Sequence, residues 1–174
     1  MSFDCAIIQG YEIPCRNSVG GIAEIYITEI GNKATLTSSS GIITGFTLST
    51  GKKFFTFFLE KENAEFTEKI VPSVENGTVY YEQEVKFNMK QLSASSRNAI
   101  RLLVQNRLYI IVKDNNGVYW LLGEAKGMDL GASEGKTGKA MGDLNGYNLV
   151  FMGREPLPAQ QVTGSLMTTL TVNA

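Results

Sequence analysis

The chain has 174 residues, of which 43% are hydrophobic and 19% charged, and its net charge is −1 at pH 7. This composition is typical of a soluble globular domain with a sizeable core, and it offers no basic excess for binding DNA or an acidic membrane surface. No stretch approaches the roughly 18 consecutive apolar residues of a membrane span, and no secretory signal is visible at the N-terminus. We therefore expect one domain, residues 1–174, made in a cytoplasm and not associated with a membrane.

The sequence contains no histidine. This absence removes Ser–His–Asp and Cys–His catalysis, together with the commonest zinc ligand. The two cysteines, Cys5 and Cys15, do not complete a structural zinc site and are expected to be reduced thiols. We therefore predict that the protein is not an enzyme and that it binds no metal and no cofactor.

Strand signals dominate the first half of the chain, after residues 1–21, which are predicted to form an N-terminal arm. A strand is predicted at residues 23–30, and the Thr-, Ser- and Gly-rich segment 33–50 has room for two more around a mobile turn. The next strand, KKFFTFFLEK at 52–61, has aromatic side chains on both faces. Such a pattern indicates that core or a neighbouring subunit covers both sides.

The clearest alternation lies at residues 78–89, after an Asn-Gly turn that predicts a hairpin with residues 65–72. Apolar side chains share one parity and polar side chains the other, as in a strand with one wet face. The polar face, which we predict to look into a water-filled lumen, contains Tyr80, Glu82, Glu84, Lys86 and Asn88. A catalytic use of Glu82, Glu84 and Lys86 is a competing hypothesis, but charged alternation opposite an apolar stripe is typical of a solvated strand face.

One helix is predicted over residues 94–106, with Ser93 or Ser95 as its N-cap. The helix is expected to cover a sheet edge or face with an apolar stripe formed by Leu92, Ala99, Ile100, Leu103 and Val104. A hairpin follows, in which residues 107–113 and 118–124 flank an Asp-Asn-Asn-Gly turn. Trp120, in the second of these strands, is predicted to be a core residue.

Residues 123–146 form a glycine-rich loop. Within it, GASEGKT at 131–137 is similar to a phosphate-binding loop, but only three residues separate Gly131 from Gly135, and the residues that follow are poor helix formers. We therefore predict no specific ATP or GTP binding. Since ordering so many glycines is costly, a neighbouring copy is expected to order the loop, and Gly131 and Gly135 are candidate inter-subunit residues.

The last predicted elements are a strand at 147–153, an extended proline-containing connector at 154–161 and a strand at 166–172. The C-terminal extension, 157–174, has strand propensity but little apolar content to pack it within one subunit. We expect it to pair with the sheet edge of a neighbouring subunit. Its candidate inter-subunit residues are Leu166, Leu170 and Val172.

Four stretches together resemble a family of small virion structural proteins of tailed bacteriophages of gut bacteria. They are YEIPCRNSVGGIAEIYI, VENGTVYYEQEVKFNM, RNAIRLLVQNRLYIIVKDNNGVYWLLGE and GDLNGYNLVFMGRE, and the resemblance covers about residues 11–156. The order of elements further resembles that of phage tail tube proteins. The fold that this implies is mainly β, a sandwich or barrel of antiparallel strands with one flanking helix and long loops or arms.

The resemblance implies a structural protein of the phage tail that self-assembles into stacked, hexameric rings around a DNA-conducting channel. The expected partners are copies of the same chain, other phage tail proteins and passing DNA that is not specifically bound. The expected location is the virion, after assembly in the host cytoplasm. The alternatives are another virion role (tail completion, connector or head decoration) and a ligand-binding β-barrel.

Overall fold

Two β-sheets face each other across a shared apolar core in the computed structural model, which describes residues 7–172. The helices are α1 (Ala94–Gln105) and α2 (Gly164–Leu170), and a short 3-10 turn spans Ile30–Asn32. Along the chain the strands are β1 (Ile22–Glu29), β2 (Lys33–Ser39), β3 (Ile42–Leu48), β4 (Phe54–Phe58), β5 (Ala64–Ser73), β6 (Thr78–Lys90), β7 (Leu108–Asp114), β8 (Tyr119–Leu122), β9 (Asp129–Leu130), β10 (Glu134–Lys136), β11 (Gly146–Glu155), β12 (Gln160–Val162) and β13 (Thr171–Val172). The expected fold class, a mainly β sandwich with a flanking helix, is confirmed.

The eight-stranded sheet, hereafter the large sheet, has the order β13-β4-β1-β7-β8-β12-β3-β2. Its pairs are antiparallel except for β12 with β3 and β13 with β4, which are parallel. The predicted hairpin around residues 114–117 is the β7–β8 pair, and the two strands predicted within 33–50 are β2 and β3. The turn between β2 and β3 places Ser40 and Gly41 at positive φ, which suits a two-residue hairpin connection.

The central strands of the large sheet are buried on both faces. Towards the small sheet they contribute Ile25, Ile27 and Ile110, and on the far face Tyr109 and Ile111 pack into a second apolar cluster. This double burial explains why β7 reads as an uninterrupted apolar run, since neither parity faces water.

The five-stranded sheet, hereafter the small sheet, has the order β10-β11-β6-β5, and β9 also pairs with β11. Its central strand β6 confirms the predicted alternation: Val85 and Phe87 are buried against the large sheet, while the opposite parity lies outside. The ring of Phe87 stacks on that of Phe151 in β11, with ring centroids 5.7 Å apart. The predicted hairpin of 65–72 with 78–89 is the β5–β6 pair.

Helix α1 lies where it was predicted, and Ser93 caps it by exchanging hydrogen bonds with Ser96. Ile100 and Leu103 pack against the core between the sheets, but no residue of the helix is fully buried. Val104, predicted to share the packed stripe, is 59% exposed instead. Helix α1 therefore lies on the surface of the molecule and covers the end of the core with two partly buried side chains.

Residues 166–172 do not form the predicted strand, because most of them belong to α2. Leu166, Met167 and Leu170 share one helical face and pack into the second cluster on the large sheet. Burying these side chains outweighs the modest strand preference of the intervening threonines. Only Thr171–Val172 is extended, and it pairs with β4 of the same chain. The C-terminal segment up to Val172 thus packs within its own subunit.

Two further expectations are met only in part. Core covers both faces of β4 at Phe54 and Phe57, which pack into the two apolar clusters, but Phe55 and Phe58 are 63% and 64% exposed. The glycine-rich segment 123–146 is not without secondary structure, since it contains β9 and β10, both paired with β11. Backbone pairing with an existing strand holds this segment despite its glycines.

Candidate functional surfaces

The outer face of the small sheet gathers the polar side chains predicted from the alternation. Tyr80, Glu82, Glu84, Lys86 and Asn88 all lie on this face, opposite the buried parity of β6, and each is at least partly exposed. A lumen exists only in an assembly, so their lumen-facing role stays a prediction. Their exposure to water, in contrast, is already present in the single chain.

Cross-strand register extends this face onto the neighbouring strands. Glu65 of β5 lies opposite Lys86, and Arg154 of β11 lies opposite Glu82. Lys86 Nζ is 2.7 Å from Glu84 Oε1 and 3.8 Å from Glu65 Oε1. Arg154 Nε donates to Glu82 Oε1 at 3.1 Å. The charges therefore form ion pairs both along β6 and across to its two neighbouring strands.

These pairs change the expected electrostatics of the face. Unpaired carboxylates at Glu82 and Glu84 would repel DNA, but a cation accompanies each of them. The hydrogen bond from Lys86 to Glu84 raises the pKa of the Lys86 ammonium group, so the lysine stays charged at neutral pH. The face is consequently water-facing and close to charge-balanced rather than acidic.

An open cleft of about 680 Å³ lies on the same side of the molecule. Glu82 and Arg154 line it together with Lys69, Arg107 and Lys126. The last three cations form no salt bridge within residues 7–172. Glu84 and Asp129 line the cleft as well, so these three cations lie among carboxylates. The three cations are the groups of the cleft that could bind an anionic ligand.

A buried carboxylate fixes the turn that borders this cleft. Glu155, at the end of β11, is 3% exposed, and it accepts backbone N–H groups from Ala125, Lys126 and Gly127 at 2.9, 2.9 and 3.1 Å. Burial, reinforced by Glu155, raises the pKa of the neighbouring Glu124 carboxyl, and Lys33 opposes that rise. The alternation of β11 does not distinguish Glu155 from an exposed strand-end glutamate, so sequence reasoning missed it.

A second buried polar group, Gln83, anchors the start of the same turn. Its side chain accepts the Gly123 N–H at 3.0 Å and donates to Glu68 Oε2 at 3.0 Å. Glu68 also accepts the Ala159 N–H at 2.8 Å. In the sequence, Gln83 is the single polar residue within the apolar parity of β6, and that interruption was the available signal.

The GASEGKT segment adopts extended structure rather than a loop before a helix. The Gly131 N–H donates to the Val150 carbonyl at 2.7 Å, and Gly135 in β10 lies opposite Tyr147. A Cβ at Gly135 would meet the Tyr147 ring at 2.7 Å, so close approach to the ring explains this glycine. An inter-subunit role for Gly131 and Gly135 stays a prediction.

The other candidate inter-subunit residues have partners within their own chain. Leu170 is 3% exposed and Leu166 packs beside it against the large sheet. The backbone of Val172 lies opposite that of Phe55. The argument that assigned Leu166 and Leu170 to a neighbouring subunit, namely that they have nothing to pack against, is therefore wrong, and an inter-subunit role for Val172 stays a prediction.

The small sheet has two open edges. Within residues 7–172, β5 pairs only with β6 and β10 only with β11, so each is free on its other side. At the far end of the β5–β6 hairpin, Ile70, Val74 and Val79 are 64%, 95% and 50% exposed. Open strand edges with apolar side chains are sites where further strands add.

The N-terminal arm is the most exposed apolar segment. Ile7, Ile8, Tyr11 and Ile13 are between 83% and 94% exposed, and residues 7–20 contain no strand or helix. Cys15 in the arm is a free, exposed cysteine, whereas Cys5 lies outside the described residues. Apolar side chains at this density without a core of their own indicate a surface used for contact with another molecule.

Comparison with known proteins found no match: no protein-family model, no curated protein and no solved structure matches the chain. Within residues 7–172 no cluster of three or more Cys, Asp or Glu side chains is arranged to hold a metal ion. The helices described in the same range are too short or too polar to cross a membrane.

Proposed function

We propose that the chain is a self-assembling structural protein of a bacteriophage tail, closest in role to a tail tube protein. Its copies form stacked, hexameric rings around a channel through which DNA passes without specific binding. One observation carries the proposal beyond the resemblance in sequence. The small sheet combines an apolar inner face, an ion-paired outer face and two strand edges that have no partner among residues 7–172.

In a closed ring, each of these free strand edges pairs with an edge of a neighbouring copy. When the β5 edge of one copy pairs with the β10 edge of the next, the small sheets join into one continuous wall. Closure removes every free edge of the small sheets, and each subunit gives and receives the same contact. The exposed Ile70, Val74 and Val79 beside the β5 edge would be covered by the same contact.

The chemistry of the outer face suits a channel wall. In a closed ring whose small sheets curve around the axis, the face with Glu82, Glu84 and Lys86 remains in water while the apolar face stays in the core. On this face Lys86 and Arg154 are paired with carboxylates. Lys69, Arg107 and Lys126 of the cleft, which form no salt bridge within residues 7–172, lie beside the carboxylates of Glu82, Glu84 and Asp129, so the wall is close to balanced in charge. A charge-balanced wall therefore lets DNA move without sticking.

The test is assembly of the purified full-length chain. Negative-stain electron microscopy and sedimentation velocity at increasing concentration should show regular rings or tubes of uniform diameter. A chain that remains monomeric up to the solubility limit contradicts the proposal. Single rings without stacking, or particles bound to capsids, favour the connector, completion or decoration roles instead.

A single substitution tests the edge directly. Ile70→Lys places a charge beside the β5 edge at an exposed position, so it should abolish assembly while the melting temperature stays within about 2 °C of the wild type. Leu102→Lys is the matched control, because Leu102 is also exposed, at 60%, but lies on α1. Assembly of Ile70→Lys at wild-type concentrations would rule out the β5 edge.

The cleft beside β6 supports a second candidate, a binding module for an anionic ligand. Lys69, Arg107 and Lys126 surround about 680 Å³ and form no salt bridge with residues of the described chain. Calorimetric titration with inorganic pyrophosphate distinguishes the two functions. Saturable one-to-one binding that Arg107→Ala removes favours the binding module, and absence of binding favours the structural role.

A further inference from the structure

The root of the N-terminal arm is held by side chains of the β7–β8 turn. The Asn116 side-chain amide accepts the Val19 N–H at 2.9 Å and donates to the Val19 carbonyl at 2.8 Å. The Asn115 amide donates to the Gly20 carbonyl at 2.6 Å, and the Asn115 backbone N–H donates to the Gly21 carbonyl at 3.2 Å. These five residues are the arm clamp.

The geometry of the arm clamp is specific. Asn116 pairs with both the backbone N–H and the backbone carbonyl of Val19, as a neighbouring strand would. A side-chain amide can do this because it carries a hydrogen-bond donor and an acceptor side by side without a charge. Gly21 has φ +93°, and a Cβ there would lie 2.8 Å from the Asn115 amide nitrogen. A larger residue at position 21 would therefore disturb the hold on the arm as well as strain the backbone.

The turn that carries the clamp is itself fixed. The Asp114 carboxylate accepts the backbone N–H groups of Asn116 and Val118, each at 2.9 Å. The Asp114 N–H donates to the Val118 carbonyl at 2.9 Å, which closes the hairpin. The turn is thus complete without the arm, and the amides of Asn115 and Asn116 are free to bind it.

Beyond the clamp, the chain from residue 7 to residue 18 makes no hydrogen bond to either sheet. Three of its apolar side chains, Ile7, Ile8 and Ile13, are more than nine-tenths exposed. Fixing the root restricts where the arm can reach and raises its effective concentration at a partner surface on that side.

We propose that the arm clamp is a positioning device: Asn116 and Asn115 fix the direction in which the arm leaves the subunit, so that its apolar residues reach a second copy of the chain. This inference rests on the proposed self-assembly. The Asn-Asn-Gly sequence therefore has two roles, to close the hairpin and to aim the arm.

The test is a double-mutant cycle in the full chain. Asn116 is not at positive φ, so Asn116→Ala leaves the turn backbone unstrained. It should raise the concentration needed for half-maximal assembly by about tenfold, as expected when two hydrogen bonds that hold a contact segment are removed. The partner change, Ile8→Ser with Ile13→Ser, removes apolar side chains of the arm. In that background Asn116→Ala should have no further effect.

Two measurements distinguish failure of the positioning role from failure of the proposed self-assembly. Hydrogen exchange in the monomer should show protection of the Val19 amide that Asn116→Ala removes. Wild-type-like assembly of Asn116→Ala, or an equal loss in the Ile8→Ser, Ile13→Ser background, overturns the positioning role. If the wild type stays monomeric while Val19 remains protected, the proposed self-assembly fails, and the clamp serves only to hold the arm.

Discussion

The two sheets of this protein differ in how many of their faces are buried. The central strands of the large sheet are buried on both faces by parts of their own chain, with the small sheet on one side and α2 on the other. The small sheet is buried on its inner face alone, and its outer face is a network of ion pairs. The large sheet therefore stabilises the subunit, while the small sheet presents a surface.

The difference between the two sheets predicts where a substitution should lower stability and where it should not. On the large sheet and on the inner face of the small sheet, side chains sit in close-packed surroundings, where the loss of volume is costly. On the outer face, exposed ion pairs contribute little to the stability of one subunit. If the proposed function is right, a change there should alter assembly or passage through the channel before it alters folding.

The largest effect is expected at the shared core. Phe87→Ala removes a ring that is 1% exposed and stacked on Phe151, and it should lower the free energy of unfolding by about 3–5 kcal/mol. Urea denaturation monitored by the fluorescence of Trp120 measures this change. A loss below about 1 kcal/mol would mean that the two sheets do not pack as described.

A smaller effect is expected at the buried carboxylate. Glu155→Gln keeps the size of the side chain but replaces one of the two oxygens that accept the N–H groups of residues 125–127 with an amide. One or more of these donors then lacks an acceptor, so stability should fall by about 1–3 kcal/mol. Hydrogen exchange at the three amides should rise in parallel, and unchanged exchange would contradict the anchoring role.

Helix α1 should give an intermediate to small effect. Ile100 packs against the core but is only half-buried, so Ile100→Ala should cost about 1–2 kcal/mol rather than the 2–5 kcal/mol of a fully buried site. Leu102→Ala, at a position that is 60% exposed, should cost less than about 0.5 kcal/mol. Equal costs at both positions in thermal denaturation would place the helix in a different orientation.

The smallest effect is expected on the outer face. Glu82→Gln is the same chemical change as Glu155→Gln, but Glu82 pairs with an Arg154 side chain that is 73% exposed. The exposed pair is screened by water, so the free energy of unfolding should change by less than about 0.5 kcal/mol. A cost similar to that of Glu155→Gln would show that the two faces of the small sheet do not differ as proposed.

Local patterns predicted most of the fold. The alternation of residues 78–89, the Asn-Gly turns and the capped helix each depend on interactions between residues close in sequence, and each is present in the structure. The polar outer face followed from the same alternation. These features were predictable because side-chain period and turn chemistry act locally.

The errors lie where distant segments decide the outcome. Residues 164–170 are helical because Met167 and Leu170 fill a gap on the far face of the large sheet, which strand propensity does not reveal. The ion pair of Glu82 with Arg154 depends on strand register, and Glu155 is buried because a turn about 30 residues earlier in the chain folds over it. The arm clamp joins the Asn116 side chain to the Val19 backbone, 97 residues away in the sequence, so no local pattern marks it.

The central claim is that the outer face of the small sheet lines a channel. Electron cryomicroscopy of the assembled particle at side-chain resolution tests it most directly. We predict that Tyr80, Glu82, Glu84, Lys86 and Asn88 face the central channel, with β5 of each subunit paired to β10 of the next. A map that places these side chains on the outer wall or in a dry interface would contradict the account.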